Sequence, residues 1–141
     1  MSNPKSKSLA AWLALLGGSI GLHRFYLRGA RDIWAWLLPW PTLAGGVGLA
    51  RFRTLGADDL LAAWLLPLLG LMLAQGALTA IYLGLTSDEQ WNARHNPQQP
   101  APATRWGPVL AAIAGLLLGG TALMSAIVFA AQRYFELSAT A

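Results

Sequence analysis

Two long stretches that contain no Asp, Glu, Lys, Arg or His constrain this chain more than any other feature of its sequence. They cover residues 60–85, which are 26 in number, and residues 108–131, which are 24. An apolar helix needs roughly 20 residues to cross the hydrocarbon core of a bilayer. Both stretches exceed that length, and each therefore predicts a transmembrane helix.

Two shorter apolar stretches predict two further crossings. Residues 33–50 supply 18 residues, with tryptophans near one end and Arg51 at the other, as is typical of the two membrane interfaces. Residues 9–22 supply 14 residues, or about 21 Å of helix, which is short of the ~30 Å core. We expect this helix to continue to Leu27, with Arg24 reaching the headgroups. The sequence thus predicts an all-α integral membrane protein with about four transmembrane helices.

The composition agrees with residence in lipid. Hydrophobic residues make up 55% of the chain and charged residues 11%, with a mean hydropathy of +0.46, which leaves too little polar surface for a water-soluble globule. The net charge of +4 comes from cations scattered between the apolar stretches, a distribution that favours membrane-flanking charge over nucleic-acid binding. The chain has no cysteine, so disulfides and thiolate metal sites are excluded.

The polar segments divide the chain into five parts. Residues 86–107 are polar and rich in proline, which predicts a flexible loop outside the membrane. The predicted organisation is a two-helix hairpin at 5–59, a third helix at 60–85, the polar loop at 86–107, a fourth helix at 108–131 and a short tail at 132–141.

A similar sequence precedes the second and third predicted helices. Gly29-Ala30-Arg31-Asp32 and Gly56-Ala57-Asp58-Asp59 each end in an aspartate at the position of a helix N-cap. Similar Ala-Trp-Leu-Leu-Pro segments follow them. Two short matches do not make a repeat architecture, and we interpret the similarity as coincidence.

The segment Gly17–Gly21, GGSIG, fits two patterns with different meanings. As G-x-S-x-G it is typical of a serine nucleophile on a strand-to-helix turn, and as G-x-x-x-G it is typical of helices in close contact. A nucleophile needs a preceding strand together with a converging histidine and carboxylate. Ser19 has neither, since the nearest histidine, His23, follows on the same predicted helix. We therefore predict close helix packing at Gly17, Gly18 and Gly21, and likewise at Gly115 and Gly119 in the fourth helix.

The residues around this segment resemble a known family. Gly18, Gly21 and the run His23-Arg24-Phe25-Tyr26-Leu27, preceded by Lys7 and an apolar stretch and followed by a second apolar stretch, resemble the TM2 domain. This is a family of paired transmembrane helices joined by a short linker. The resemblance covers roughly residues 5–59, and Arg28 stands where the family usually has glycine.

The resemblance implies membrane residence and a helical hairpin, and no enzymatic reaction. Bacterial members are commonly uncharacterised membrane proteins, so we expect a multi-pass protein of the bacterial plasma membrane. His23, Arg24, Phe25 and Tyr26 are the candidate interaction residues, placed where aromatic rings and a cation suit the headgroup layer. Alternatively, His23 and Arg24 form a polar cluster with Asp32 or with the Asp58–Asp59 pair, which fixes the hairpin or recognises a headgroup or partner.

The sequence therefore predicts a non-enzymatic membrane protein with a structural or interaction role. Its expected partners are the lipid bilayer and, beyond it, lipid headgroups, another membrane protein or a second copy of the chain; no nucleic acid, cofactor or metal is expected. Two alternatives stay open, a small transporter or channel subunit and, less favoured, a membrane-embedded enzyme. Four crossings place both termini on one side and divide the ten Lys and Arg residues equally, so orientation is undecided.

Overall fold

Helices make up 80% of the structure, a computed structural model that describes residues 3–140 and has no strand within them. The predicted all-α class is confirmed. Residue 141, at the end of the predicted tail, lies outside the described residues. The helices are α1 (Lys7–Gly17), α2 (Leu22–Arg28), α3 (Ile33–Leu37), α4 (Pro39–Leu55), α5 (Leu60–Leu85), α6 (Asp88–His95) and α7 (Gly107–Ala139), and a 3-10 turn, Gly18–Ile20, follows α1.

Within residues 3–140, two helices are each long and apolar enough to cross a membrane, α5 and α7. They pack against each other in antiparallel orientation, because Gly84 of α5 lies against Pro108 of α7 whereas Gly70 lies against Ala126. The glycines let the two backbones approach closely. This pair forms the main helix–helix contact of the bundle.

The predicted third helix coincides with α5, and the predicted fourth, 108–131, lies within the longer α7. Helix α7 continues to Ala139 and includes most of the segment predicted as a short tail. The reason is local: residues 132–139 contain no glycine or proline, and Glu136 accepts hydrogen bonds from Gln132 and Arg133 one turn earlier.

The single helix predicted over residues 9–27 is not formed. The Lys5 ammonium donates to the Leu27 carbonyl, and the Ser6 amide donates to the Tyr26 hydroxyl at 2.7 Å. A continuous helix would separate the ends of this segment by about 27 Å. Helices α1 and α2 instead run in opposite directions and form a short hairpin, residues 7–28, which we call the N-terminal hairpin.

Gly21 makes this reversal possible. The helix ends at Gly17, one 3-10 turn follows, and Gly21 then adopts a left-handed conformation with φ +81° and ψ +16° before α2 begins. Residues with a β-carbon rarely adopt this conformation. The GGSIG segment is therefore a turn and not one face of a continuous helix, which corrects the packing geometry predicted for Gly17 and Gly21.

The predicted second helix forms, but it is interrupted. Helix α3 ends at Leu37 and α4 begins at Pro39. Pro39 has no amide hydrogen to donate to the Ala35 carbonyl four residues earlier. That carbonyl faces the hairpin turn, where a β-carbon added to Gly21 would lie 2.8 Å from it.

Helix α4 packs along the first half of α5, and the N-terminal hairpin packs along the second half. A β-carbon on Gly48 would lie 2.6 Å from the Leu65 β-carbon, and one on Gly45 would lie at the same distance from that of Leu69. Further along α5, Gly76 lies against the hairpin turn. The turn therefore reaches the interior of the bundle, well inside both ends of α5.

The polar segment 86–107 contains helix α6, which the prediction of a flexible loop missed. Ser87 caps the helix by accepting a hydrogen bond from the Gln90 amide at 3.2 Å. Two acidic residues occupy its first turn, and Arg94 and His95 occupy its last turn, the arrangement that the helix dipole favours. The remaining residues of the segment have no helix or strand.

Small side chains form the core where the N-terminal hairpin meets α5 and α7. Alanines predominate because they allow close backbone approach, while Leu83 and Trp91 fill the volume at the α6 end. Tyr26 and Leu27 of α2 pack against the same cluster. The buried alanines are Ala10, Ala11, Ala14, Ala80 and Ala111.

Candidate functional site

The four candidate interaction residues, His23, Arg24, Phe25 and Tyr26, are buried or contact other parts of the chain. His23 is buried, with 4% of its surface exposed. Phe25 packs edge-to-face on Trp36, with ring centroids 5.1 Å apart, and Tyr26 accepts the hydrogen bond from Ser6. These residues therefore connect α2 to α3 and to the residues that precede α1.

Arg24 forms a two-pronged ion pair with Asp32 across the turn between α2 and α3. Its Nε and Nη2 atoms donate to the two carboxylate oxygens at 2.8 and 3.3 Å. Asp32 also accepts from the Trp34 amide and so caps α3. The guanidinium beside it holds the pKa of the Asp32 carboxyl below its usual value. Of the alternatives left open by the sequence, the structure forms the pair with Asp32.

The turn between α4 and α5 has the same design. Arg51 donates to Asp59 through Nε and Nη2 at 2.7 and 2.8 Å, and Asp59 caps α5 by accepting from the Ala62 amide. Gly56 has φ +83° and ψ −171°, and the corresponding Gly29 has φ +78° and ψ −171°. We call each of these two turns, residues 24–32 and residues 51–59, an Arg–Asp turn. The two similar sequences thus share one geometry.

The predicted packing glycines lie in close contact with neighbouring residues. A β-carbon on Gly18 would lie 2.7 Å from the Gly76 Cα atom. In α7, one on Gly115 would lie 2.9 Å from the Ala77 carbonyl oxygen, and one on Gly119 would lie 2.5 Å from the Ala77 β-carbon. Gly17 faces the Leu22 side chain within the hairpin.

A second cluster, which the sequence analysis missed, joins the N-terminal residues to α6. We call it the polar cap: residues 3–7, α6 and the connection 96–106. The Lys5 amide donates to Asn96 Oδ1 at 2.7 Å, and the Lys5 carbonyl accepts from Asn96 Nδ2 at 3.0 Å and Trp91 Nε1 at 2.9 Å. Trp91 and Asn96 are buried. These contacts connect residues about 90 positions apart in the chain.

Lys7 and Asp88 form the ionic centre of the polar cap. The Lys7 ammonium, only 6% exposed, lies 2.7 Å from Asp88 Oδ1 and also donates to the Thr86 carbonyl. Thr104 donates both its amide and its hydroxyl to the same carboxylate. The Lys7 ammonium, followed by Thr104, lowers the pKa of Asp88 from 3.8 to about 2. The only sequence signal for this site was the Ser87 cap with its acidic first turn.

Ser19 belongs to the turn of the N-terminal hairpin. This residue lies in the 3-10 turn, and its carbonyl accepts a hydrogen bond from the Thr42 hydroxyl. Within residues 3–140, no group of three His, Cys, Asp or Glu side chains could hold a metal ion.

No protein-family model, curated protein or solved structure matches this chain.

Proposed function

We propose that this chain is a non-enzymatic, multi-pass membrane protein with a TM2-like N-terminal domain, and that its polar cap interacts with an anionic surface. The observation that carries the proposal is the placement of cations without a carboxylate partner. Among the described residues, four Lys or Arg side chains are paired with carboxylates, and six are not. Five of these six belong to the end of the bundle that carries the polar cap: Lys5, Arg28, Arg31, Arg94 and Arg105.

The helix contacts support three crossings in place of the four predicted. Helices α3 and α4 together span residues 33–55, about 34 Å of helix, and are followed by the antiparallel α5 and α7. The N-terminal hairpin enters the bundle and returns to the side from which it started. Irregular backbone at membrane depth is tolerated where protein covers it, as it does around the Gly21 turn.

Exposed side chains support placement in a bilayer. Large apolar side chains point outward along α5 and α7, for example Leu78 at 67% and Leu116 at 67% exposure, a surface that matches lipid rather than water. Trp64 and Tyr82, both exposed, mark the two ends of α5. Their separation of about 27 Å along the helix is close to the hydrocarbon thickness, as expected for interfacial aromatic residues.

Three crossings also give the protein an orientation. The side that carries the polar cap then holds seven Lys and Arg residues, and the opposite side holds three. The positive-inside rule places the richer side in the cytoplasm, here of a bacterial cell. The seven are Lys5, Lys7, Arg24, Arg28, Arg31, Arg94 and Arg105, and the three are Arg51, Arg53 and Arg133.

The absence of cysteine allows a direct test of this topology with single-cysteine variants. Asn3→Cys, Ala57→Cys and Ala103→Cys would be labelled with a membrane-impermeant maleimide in intact spheroplasts and after lysis. Three crossings predict that Ala57→Cys alone reacts before lysis. Four crossings would place positions 3 and 57 on the same side, so that matched labelling of these two would overturn the proposal.

The interaction itself is tested by photocrosslinking. A photoreactive residue at exposed Arg31, on the polar cap side, is compared with one at exposed Arg53, on the opposite side. Mass spectrometry identifies the adducts as anionic lipid, another membrane protein or a second copy of the chain. We expect one of these to be enriched at position 31, and identical adduct profiles at both positions would contradict a specific role of the end of the bundle that carries the polar cap.

A small transporter is the second candidate. It is favoured by the two half-helices α1 and α2, which meet inside the bundle beside Gly76, because transporters commonly place sites at such breaks. The carbonyl oxygen of the neighbouring Gln75 side chain is buried without a hydrogen-bond partner among the described residues. Solute flux in proteoliposomes that is lost in Gln75→Leu would favour this function over the first.

A further inference from the structure

A cavity of about 630 Å³ lies in the polar cap, between the N-terminal residues and the carboxyl end of α6. Residues 3–5 form one wall, and residues 95–99 form the other. The side chains of Lys5 and His95 and several amides line it, and no carboxylate does. The lining therefore offers hydrogen-bond donors and positive charge.

The walls of this cavity are held in place before any ligand arrives. Asn96 is 6% exposed and bonds to both the amide and the carbonyl of Lys5, and Trp91, 2% exposed, donates to the same carbonyl. A preformed site loses less conformational entropy on binding than a mobile one does.

Positive charge around the cavity is not neutralised within the chain. Lys5, Arg28 and Arg94 lie close enough to His95 to lower its pKa, after the larger effect of burial. None of these three cations has a carboxylate within 4.0 Å in the described part of the chain.

The neighbouring negative groups are weaker or already engaged. Asp32 is paired with Arg24 and Asp88 with Lys7, and Glu89 lies exposed on the first turn of α6, away from the cavity lining. The carboxyl end of α6 adds a partial negative charge of about half a unit. Three full positive charges exceed it.

The carboxyl end of α6, which borders the cavity, lies near the proposed membrane surface. Arg94 donates through Nη1 to the Tyr82 hydroxyl at 2.8 Å, and Tyr82 is exposed near the end of α5. We propose that this cavity binds a phosphate group, with Lys5 of its lining and the nearby Arg28 and Arg94, which lie outside the lining, supplying positive charge, and with Gln98 and Gln99 of its lining supplying neutral amide donors. The proposal rests on the proposed interaction of the polar cap and names the chemistry of its ligand.

The phosphate can come from an anionic lipid headgroup or from solution, and the experiment separates the two. The full chain is placed in nanodiscs of phosphatidylcholine alone, in nanodiscs with added phosphatidylglycerol, and in uncharged detergent with inorganic phosphate. The readout is the pKa of His95 by NMR of labelled histidine, assigned with His95→Gln; His23 is the only other histidine. A bound anion favours protonated imidazole and raises this pKa.

A rise with phosphatidylglycerol alone identifies a lipid headgroup, a rise with inorganic phosphate identifies the free anion, and no rise in either arm overturns the proposal. Arg28→Gln and Arg94→Gln should each weaken binding by about fivefold. Arg53→Gln, an equal charge change on the opposite side, is the control, and an equal loss in this variant would show general surface charge only and refute the site. The detergent arm does not depend on topology, so it separates failure of this site from failure of the proposed orientation.

Discussion

Two adjacent glycines in α4 give the sharpest test of the packing between α4 and α5. A β-carbon on Gly45 would lie 2.6 Å from the Leu69 β-carbon and 2.7 Å from its backbone nitrogen and Cα atoms, whereas one on Gly46 would meet nothing within 4 Å. The same substitution at neighbouring positions therefore enters a closed contact in one case and open space in the other. We expect Gly45→Ala to destabilise the bundle and Gly46→Ala to leave it unchanged or more stable.

The size of the difference follows from the contacts. Leu69 presents backbone atoms that cannot rotate away, so α4 has to move by roughly 1 Å to restore normal carbon–carbon separation, and overpacking of this kind costs about 1–3 kcal/mol. An alanine at an open helix position instead gains about 0.5–1 kcal/mol over glycine. Because this gain applies at both positions, the two variants should differ by the overpacking cost, about 1–3 kcal/mol in the free energy of unfolding, or roughly 5- to 140-fold in the folded-to-unfolded ratio.

The measurement is reversible unfolding of each variant in mixed micelles with increasing SDS, followed by tryptophan fluorescence. Gly119→Ala and Gly120→Ala repeat the comparison in α7, where only the first meets a neighbour, Ala77. Equal stability of Gly45→Ala and Gly46→Ala would refute the argument that α4 lies directly against α5, whatever the absolute values.

Three further outcomes are expected. The depressed pKa of Asp88 means that its ionised form stabilises the fold fully above about pH 4 and progressively less as the pH falls towards 2; hydrogen exchange of α6 should follow this dependence, and Asp88→Asn should abolish it. Gly21→Ala should lower membrane abundance more than Gly46→Ala, because Gly21 has positive φ and a β-carbon there would lie 2.8 Å from the Ala35 carbonyl oxygen, whereas one on Gly46 would meet nothing within 4 Å; equal abundance would contradict the left-handed turn and its contact with α3. Arg24→Ala should lower the melting temperature more than Arg105→Ala, since only Arg24 has a carboxylate partner, and a reversed order would contradict the role of the Arg–Asp turn.

The sequence predicts the long helices well because their signal is local. The 26 residues of α5 match the predicted bounds since aspartate caps one end and the apolar stretch stops at the other. The path of residues 9–27 was not predictable in the same way. Glycines at 17 and 21 are compatible both with a helix face in close contact and with a left-handed turn. The hydrogen bonds from Lys5 to Leu27 and from Ser6 to Tyr26, which join residues about 20 positions apart, decide between the two.

The candidate site, too, was predicted where its contacts are local and missed where they join distant residues. The pairing of Arg24 with Asp32 was one of the stated alternatives because the two residues flank a single turn. The polar cap depends on contacts of Lys5 with Trp91 and Asn96 and of Lys7 with Asp88, which join residues far apart in sequence. Prolines at 97, 100 and 102 favoured a flexible loop, and they masked the helical signal of the capped α6.

The two Arg–Asp turns suggest why similar sequences recur without a repeat fold. A helix that ends in glycine and is followed three residues later by an aspartate cap leaves the carboxylate beside the last turns of the preceding helix, where an arginine eight residues before it can reach both oxygens. The same local requirement is met at both ends of the bundle, after α2 and after α4. Convergence on one turn geometry therefore explains the similarity as well as a duplication does, and Asp32→Asn and Asp59→Asn, which keep the cap but remove the charge, should lower the melting temperature by similar amounts if the two turns act alike.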